Sequence, residues 1–270
     1  MYEEYYGLTE RPFRKTPDPK FLFMSHEHSE ALARMQYGVE EKDLILITGD
    51  IGTGKTTLSR ALIDSLDENY KPILIINPRL SPTQFLKLLA KRLGIEKPGY
   101  FKSDLIDDIS NALYAHHEEG VCPVVIIDEA QLIPGKGTFD EIRLLTNCQL
   151  DDENLFSLIL IGQPELRKKL AKKHYEPLLQ RLSILYHLKP LSLEETEKYI
   201  KYRLSVAGRE EPLFTAEAVK EIFSCSEGVP RKINNIASNA LLEGFGKEVE
   251  VIDKDIIFDV ASDMQLLRQE

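Results

Sequence analysis

Cysteine is scarce in this chain. Its three thiols, Cys122, Cys148 and Cys225, stand far apart, and no CxxC occurs. Neither a disulfide framework nor a zinc knuckle is indicated by that spacing. An odd number of thiols suits a reducing compartment. No apolar run approaches the ~20 residues that span a bilayer. The start, from Met1 to Gly7, is acidic and aromatic, without the apolar stretch of a signal peptide. The expectation is a soluble, cytoplasmic chain. Positive charge is also in deficit: 34 Lys and Arg face 44 Asp and Glu, a formal charge of −10. That balance argues against a general basic coat for nucleic acid. The pairs His26/His28 and His116/His117 lack a third ligand at metal-binding spacing. No Ser/His/Asp or Cys/His arrangement asks for nucleophilic catalysis.

What is present can fill a core. The chain is 43% hydrophobic and 29% charged, the composition of an ordered soluble protein. At roughly 150 residues per domain, its length predicts one large domain or two smaller ones. Strand runs fall at 44–48, 73–77, 124–128, 155–161 and 184–188. Most are apolar throughout, as in a parallel sheet covered on both faces by helices. Helical patterns alternate with them at about 55–66, 82–93, 103–117, 139–145 and 165–182. The alternation predicts a doubly wound α/β domain over residues 1–190. Beyond Pro190 no strand run occurs. Helix starts are signalled instead by Ser192 with Glu195, by Thr215 and by Asp253, so 191–270 is expected to be a small helical domain. Residues 243–250, with two glycines, predict a turn between helices. Residues 1–190 carry 24 basic and 28 acidic side chains, and 191–270 carry 10 and 16, so the helical part is the more acidic per residue.

The segment Gly49, Asp50, Ile51, Gly52, Thr53, Gly54, Lys55, Thr56 fits G-x-x-x-x-G-K-[ST] between an apolar strand run and a helical pattern that takes in Thr57. Glycines there let backbone amides turn inward as a nest for phosphate oxygens, and the following helix adds the positive end of its dipole. Lys55 would reach the β- and γ-phosphates, and the Thr56 hydroxyl would ligate Mg²⁺. The run Val124, Val125, Ile126, Ile127, Asp128, Glu129 lies 73 residues beyond that lysine, counted to the aspartate. Four apolar residues and then two acids describe a buried strand ending at a site. Asp128 would hold Mg²⁺ through its water shell, and Glu129 would orient the attacking water. In an open α/β sheet both belong at the carboxyl ends of strands.

These paired motifs, followed by a helical part, resemble the AAA+ ATPases with their Walker A and Walker B motifs. The finer resemblance is to the ExeA/GspA-like subfamily associated with type II secretion. It rests on Tyr5-Tyr6-Gly7-Leu8 with Pro12-Phe13, His28, Ala31-Leu32 and Tyr37-Gly38. It continues through Asn77-Pro78 with Leu80-Ser81, Ile127-Asp128-Glu129-Ala130-Gln131, Gly162-Gln163-Pro164-Glu165-Leu166, Gln180-Arg181-Leu182 and Gly228-Val229-Pro230-Arg231. The resemblance implies a five-stranded parallel sheet of order 5-1-4-3-2 with a helical lid, and ATP or ADP with Mg²⁺ bound between the domains. It implies that Gln163 is the "sensor 1" group, in a position where most members carry Asn; otherwise Gln163 caps the following helix. Asn77 either restrains Glu129 or serves turn chemistry. Arg181 matches an arginine finger supplied in trans, and Arg231 matches "sensor 2". Pro12 and Phe13, with Phe21-Leu22-Phe23, either line an adenine pocket or fill core.

A finger in trans implies a homo-oligomer, ring or filament. Members of the subfamily continue into a membrane span and a periplasmic peptidoglycan-binding part, so the chain is expected to be the cytoplasmic portion of such a protein or a stand-alone relative. The implied partner is secretion or envelope machinery. The alternatives are a DNA-associated regulatory ATPase and a nucleotide-dependent scaffold. The densest basic run, Arg167-Lys168-Lys169-Leu170-Ala171-Lys172-Lys173, is either a solvated helix face or a contact for DNA, membrane or an acidic neighbour.

Overall fold

A computed structural model describes residues 1–14, 19–150 and 153–264. Residues 265–270, the end of the expected helical domain, lie outside the described residues, as do 15–18 and 151–152. Packing divides the chain into two units. One comprises Glu30–Gly49 and Leu58–Leu188; the other comprises Met1–Ser29, Asp50–Thr57 and Lys189–Glu270.

The first unit is built on a five-stranded parallel sheet. Its strands are β1 (Leu44–Gly49), β2 (Tyr70–Ile75), β3 (Cys122–Ile127), β4 (Ser157–Gly162) and β5 (Leu182–Leu188). Their order is β2-β3-β4-β1-β5, the order expected, read from the other edge. Every residue of β1, β3 and β4 is buried, which is why these three read as unbroken apolar runs. The two edge strands are covered less completely, with Pro72 exposed in β2 and Ser183 and Leu185 in β5. Pro72 is tolerated because β2 is an edge, and Pro123 because its strand begins pairing with β4 only at Val124.

Helices cover both faces of this sheet. One face packs Leu44, Leu46, Val125, Ile127, Leu158 and Leu160 against Phe85, Leu89, Ile109 and Phe139. The other packs Ile45, Ile47, Ile126 and Ile159 against Met35, Leu58 and Leu62. Among the covering helices are α1 (His26–Glu40), α2 (Lys55–Ser65), α3 (Pro82–Leu93), α4 (Lys102–Glu118), α5 (Lys136–Leu145) and α6 (Pro164–Leu170). In α3, Ser81 and Gln84 cap each other reciprocally and Gly94 ends the helix in the left-handed region.

Three expectations are corrected. The second strand was placed at 73–77, but β2 ends at Ile75; Ile76 is 61% exposed and Asn77 turns away with φ +55°. The helix expected over 165–182 is broken: α6 stops at Leu170, two short turns follow at Lys173–Tyr175 and Glu176–Leu179, and β5 begins at Leu182. Pro177 keeps one helix from running through the whole span. It has no N–H to give and its ring blocks the carbonyl one turn earlier, so it can only sit at a helix start. The turn expected at 243–250 is helical as far as Gly246. A Cβ on Gly244 would stand 2.3 Å from Ile252 Cδ1 and 2.6 Å from the Tyr6 hydroxyl, so this glycine serves close packing.

The second unit is helical. It contains α7 (Leu193–Val206), α8 (Ala216–Ser226), α9 (Pro230–Gly246) and α10 (Lys254–Asp263). Three of the four starts are capped by the residues that signalled them. Ser192 accepts from the Glu195 N–H at 3.2 Å, Thr215 from Ala218 at 3.1 Å, and Asp253 from Ile256 at 3.1 Å. The N-terminal aromatics Tyr2, Tyr6, Phe13 and Phe21 fill this unit's core together with Leu204, Ile222, Ile236 and Ile257.

Candidate functional site

The sheet register gathers the acidic end of β3 and the start of the glycine loop at one edge. Thr48 of β1 pairs with Gly162 of β4, and Ile127 of β3 pairs with Leu160. Gly49, Asp128 and Gln163 therefore leave the sheet on the same side. Asp128 is 2% exposed. Its N–H continues the ladder to the Ile75 carbonyl at 2.9 Å, and its Oδ1 accepts from the Glu129 N–H at 2.8 Å.

Glu129 adopts φ +55°, ψ +37°, a left-handed conformation that costs a side chain such as glutamate about 1 kcal/mol. That turn brings its carboxylate back onto the strand ends. Its Oε2 accepts from the side-chain amides of both Gln131 and Gln163, the latter at 3.3 Å. Gln131 also accepts from the Gln163 N–H at 3.1 Å, so it ties the two together. Gln131 stood in the matched motif without a role. A pointer to it is Gly162, where a Cβ would lie 2.7 Å from Gln131 Oε1. Asn77 is exposed; its carbonyl accepts from Arg79 N in a turn.

The glycine loop leads from β1 into α2. Gly52 and Gly54 have φ of +88° and +98°, which side chains rarely adopt. Three donors converge on the Asp50 carbonyl: Thr53 N at 3.3 Å, Thr53 Oγ1 at 2.9 Å and Lys55 Nζ at 2.8 Å. Lys55 is 5% exposed, while Ile51 faces solvent and Thr56 and Thr57 are half-buried. Asp50–Thr57 packs within the helical unit. Arg231, at the start of α9, donates its N–H to the Gly52 carbonyl at 3.3 Å, and a Cβ on Gly52 would meet Arg231 Cβ at 2.6 Å. On the loop's other flank stands His28, whose imidazole would be 2.7 Å from a Cβ on Gly54.

Other expected residues lie elsewhere. Arg181 precedes Leu182, which pairs with Leu44 at the start of β1, so it sits at the opposite edge of the sheet from Glu129. Its guanidinium donates to Thr146 Oγ1 and Asn147 Oδ1. Phe13 is buried edge-on against Phe214 in the helical core, and the Pro12 carbonyl accepts from buried Arg203. In the basic run, Arg167, Lys168, Lys172 and Lys173 are exposed. Lys169 is half-buried, donates to the Ile133 carbonyl and lies 5.3 Å over the Phe139 ring; burial lowers its pKa. Among the described residues no cluster of three His, Cys, Asp or Glu could hold a metal. No described helix is long and apolar enough to cross a membrane.

Comparison with known proteins agrees with this geometry. Residues 39–170 match the family model described as an AAA domain. With the sheet order, the glycine loop and the acidic end of β3, the chain has the fold of the AAA+ P-loop NTPase modules. In sequence it resembles general secretion pathway protein A of Aeromonas hydrophila, at 40% identity over 251 residues. The match takes in 92% of this chain but only 45% of that protein's length. The fold is shared with the Aeropyrum pernix ORC2 protein, solved as ADPNP-ADP complexes, at TM-score 0.67 and 18% identity over 94% of this chain and 71% of that one. It is shared too with the Thermotoga maritima RuvB Holliday junction branch migration motor, at TM-score 0.61 and 18% identity over 93% of this chain and 73% of that one.

Proposed function

We propose that the chain binds ATP on the loop from Gly49 to Thr56 and hydrolyses it to ADP and phosphate. The observation that carries this reading is the Glu129 carboxylate, held by two side-chain amides at the sheet edge from which the glycine loop departs. The loop amides cradle the phosphates, and Lys55 exchanges the Asp50 carbonyl for phosphate oxygens. Glu129 accepts a proton from the attacking water, and Gln131 and Gln163 aim it. Thr56 and Asp128 offer the hydroxyl and carboxylate oxygens that Mg²⁺ takes. When bound, Mg²⁺ neutralises charge developing on the transferred phosphoryl group. Arg231 donates its N–H to the loop at the Gly52 carbonyl and stands beside the nucleotide that the loop would hold.

The test is a pair of variants. Lys55→Ala should abolish ATP binding, whereas Glu129→Gln should keep it and lose turnover by about 10²–10⁴-fold. Turnover surviving in both would defeat the reading.

We further propose that turnover is completed by a second copy of the chain supplying Arg181, and that it remodels a protein of a secretion or envelope system at the cytoplasmic face of the membrane. The likeness to general secretion pathway protein A supports this. The exposed Arg167, Lys168, Lys172 and Lys173 favour a second reading, an ATPase stimulated by DNA. Stimulation that falls steeply with salt and is lost when these four become Ala would select it. Absence of any DNA effect would leave the protein partner.

A further inference from the structure

His28 lies outside every motif that binds nucleotide, yet it touches the phosphate loop directly. It is the third residue of α1 and is 5% exposed. Both ring nitrogens are engaged: Nδ1 lies 2.6 Å from Ser25 Oγ and Nε2 lies 2.9 Å from the Thr53 carbonyl oxygen. A carbonyl can only accept, so the proton sits on Nε2. Nδ1 then accepts from the Ser25 hydroxyl. Ser25, itself buried, also accepts from the His28 N–H at 3.2 Å, which fixes the ring from behind. The two contacts together specify one neutral tautomer.

The need for such a donor follows from how a phosphate nest is made. Amides that turn inward force the intervening carbonyls outward. Thr53 is fully buried, so its outward carbonyl has no water to satisfy it and requires a protein donor. His28 is that donor, and its ring also forms the floor under Gly54, where even a methyl group would collide at 2.7 Å. On the loop's other side the Gly52 carbonyl is met by the Arg231 N–H. Two struts, one from α1 and one from α9, thus hold two successive outward carbonyls.

We propose that His28 is a positioning residue of the phosphate loop: its Nε2–H holds the Thr53 carbonyl out so that the loop amides stay turned toward phosphate. The proposal rests on the ATP reading for its probe. Glutamine can present an amide N–H where Nε2 stands, whereas asparagine is too short to reach Thr53. Affinity for MgATP is measured by fluorescence titration for the wild-type chain, His28→Gln and His28→Asn, with unfolding midpoints of the nucleotide-free proteins alongside. His28→Gln should bind within about threefold of wild type. His28→Asn should bind about tenfold more weakly, the factor one hydrogen bond to a buried group carries. In steady state the Asn variant should show the loss in KM, with kcat largely kept.

Wild-type affinity in His28→Asn, or an equal loss in both variants, overturns the proposal. A wild type that binds no ATP would instead defeat the reading of the loop. Should either variant fail to fold, the intact protein still decides. Nitrogen and carbon shifts of the His28 ring must report the Nε2–H tautomer, and the Nδ1–H tautomer overturns the assignment.

Discussion

Gln131 and His28 do at the level of single side chains what the recognisable motifs leave undone. Each satisfies a backbone or carboxylate group that the chemistry holds in an unusual place. Gln131 bridges Glu129 and Gln163. If the chain hydrolyses ATP as proposed, Gln131→Ala should lower kcat about tenfold and leave ATP affinity near wild type, because the bridge holds Glu129 and does not touch the loop. Burial lowers the His28 pKa below its ordinary 6.5, against the opposing pull of the Thr53 carbonyl, Glu195 and Glu27. The unfolded chain therefore takes up this proton first as pH falls. The stability His28 contributes is present above the ordinary value and is lost as pH drops toward the folded pKa. Denaturant midpoints at about pH 7.5 and about pH 5.5 should differ more in wild type than in His28→Gln. Neither residue's role could be read from sequence. Lys55, Asp128 and Glu129 stand out in the sequence as candidates, because their types and spacing suggest chemistry by themselves. Gln131 and His28 act only through contacts that folding creates.

At the scale of elements, legibility followed burial. β1, β3 and β4 were visible because strands buried on both faces must be apolar throughout. The edge strand β2 was misplaced because Ile76 is apolar yet exposed. The break after α6 was hidden because leucines continue past it at helical spacing, and only Pro177 opposes them. The full reach of α9 was hidden because Gly244 and Gly246 read as turn residues, while Gly244 is set by packing. One glycine before α9 carries the heaviest constraint. Gly228 has φ +73°, and a Cβ there would lie 1.9 Å from the Leu191 carbonyl oxygen. Leu191 N also donates to the Gly228 carbonyl at 2.9 Å, so the two backbones cannot part without losing a bond. Gly228→Ala should destabilise the helical unit by about 3 kcal/mol or more, read as a lowered urea midpoint. Gly162→Ala is expected to act on the site. Its methyl would displace Gln131 Oε1 and press on buried Leu166, adding a loss of stability to the kinetic defect of Gln131→Ala.

For the whole molecule the order of the sheet was legible only through resemblance, since five parallel strands can be wound in several ways. The observed register now gives that order a direction. Glu129 stands beyond the carboxyl ends of the strands and Arg181 before their amino ends. Six strand steps of about 3.3 Å put roughly 20 Å of sheet between those edges. If Arg181 answers the γ-phosphate, it answers another molecule's. Arg181→Ala and Glu129→Gln should each be nearly inactive alone, by about 10³-fold for the arginine. Mixed in equal amounts they should regain activity, as intact arginines meet intact carboxylates; a mixture no better than its parts would refute the shared site. The two edges also limit how copies can meet. An isologous pair makes its contacts reciprocally, so it joins Arg181 of each copy to Glu129 of the other only where the two sheets run antiparallel across the interface. A heterologous contact, with the amino edge of one sheet toward the carboxyl edge of the next, brings the unlike groups together once per interface. The direction of the strands therefore sets how many shared sites one interface carries: two in a two-fold pair, one in a head-to-tail contact. A head-to-tail assembly keeps a first and a last subunit unless the rotation closes, and the last subunit's carboxylate then waits without an arginine.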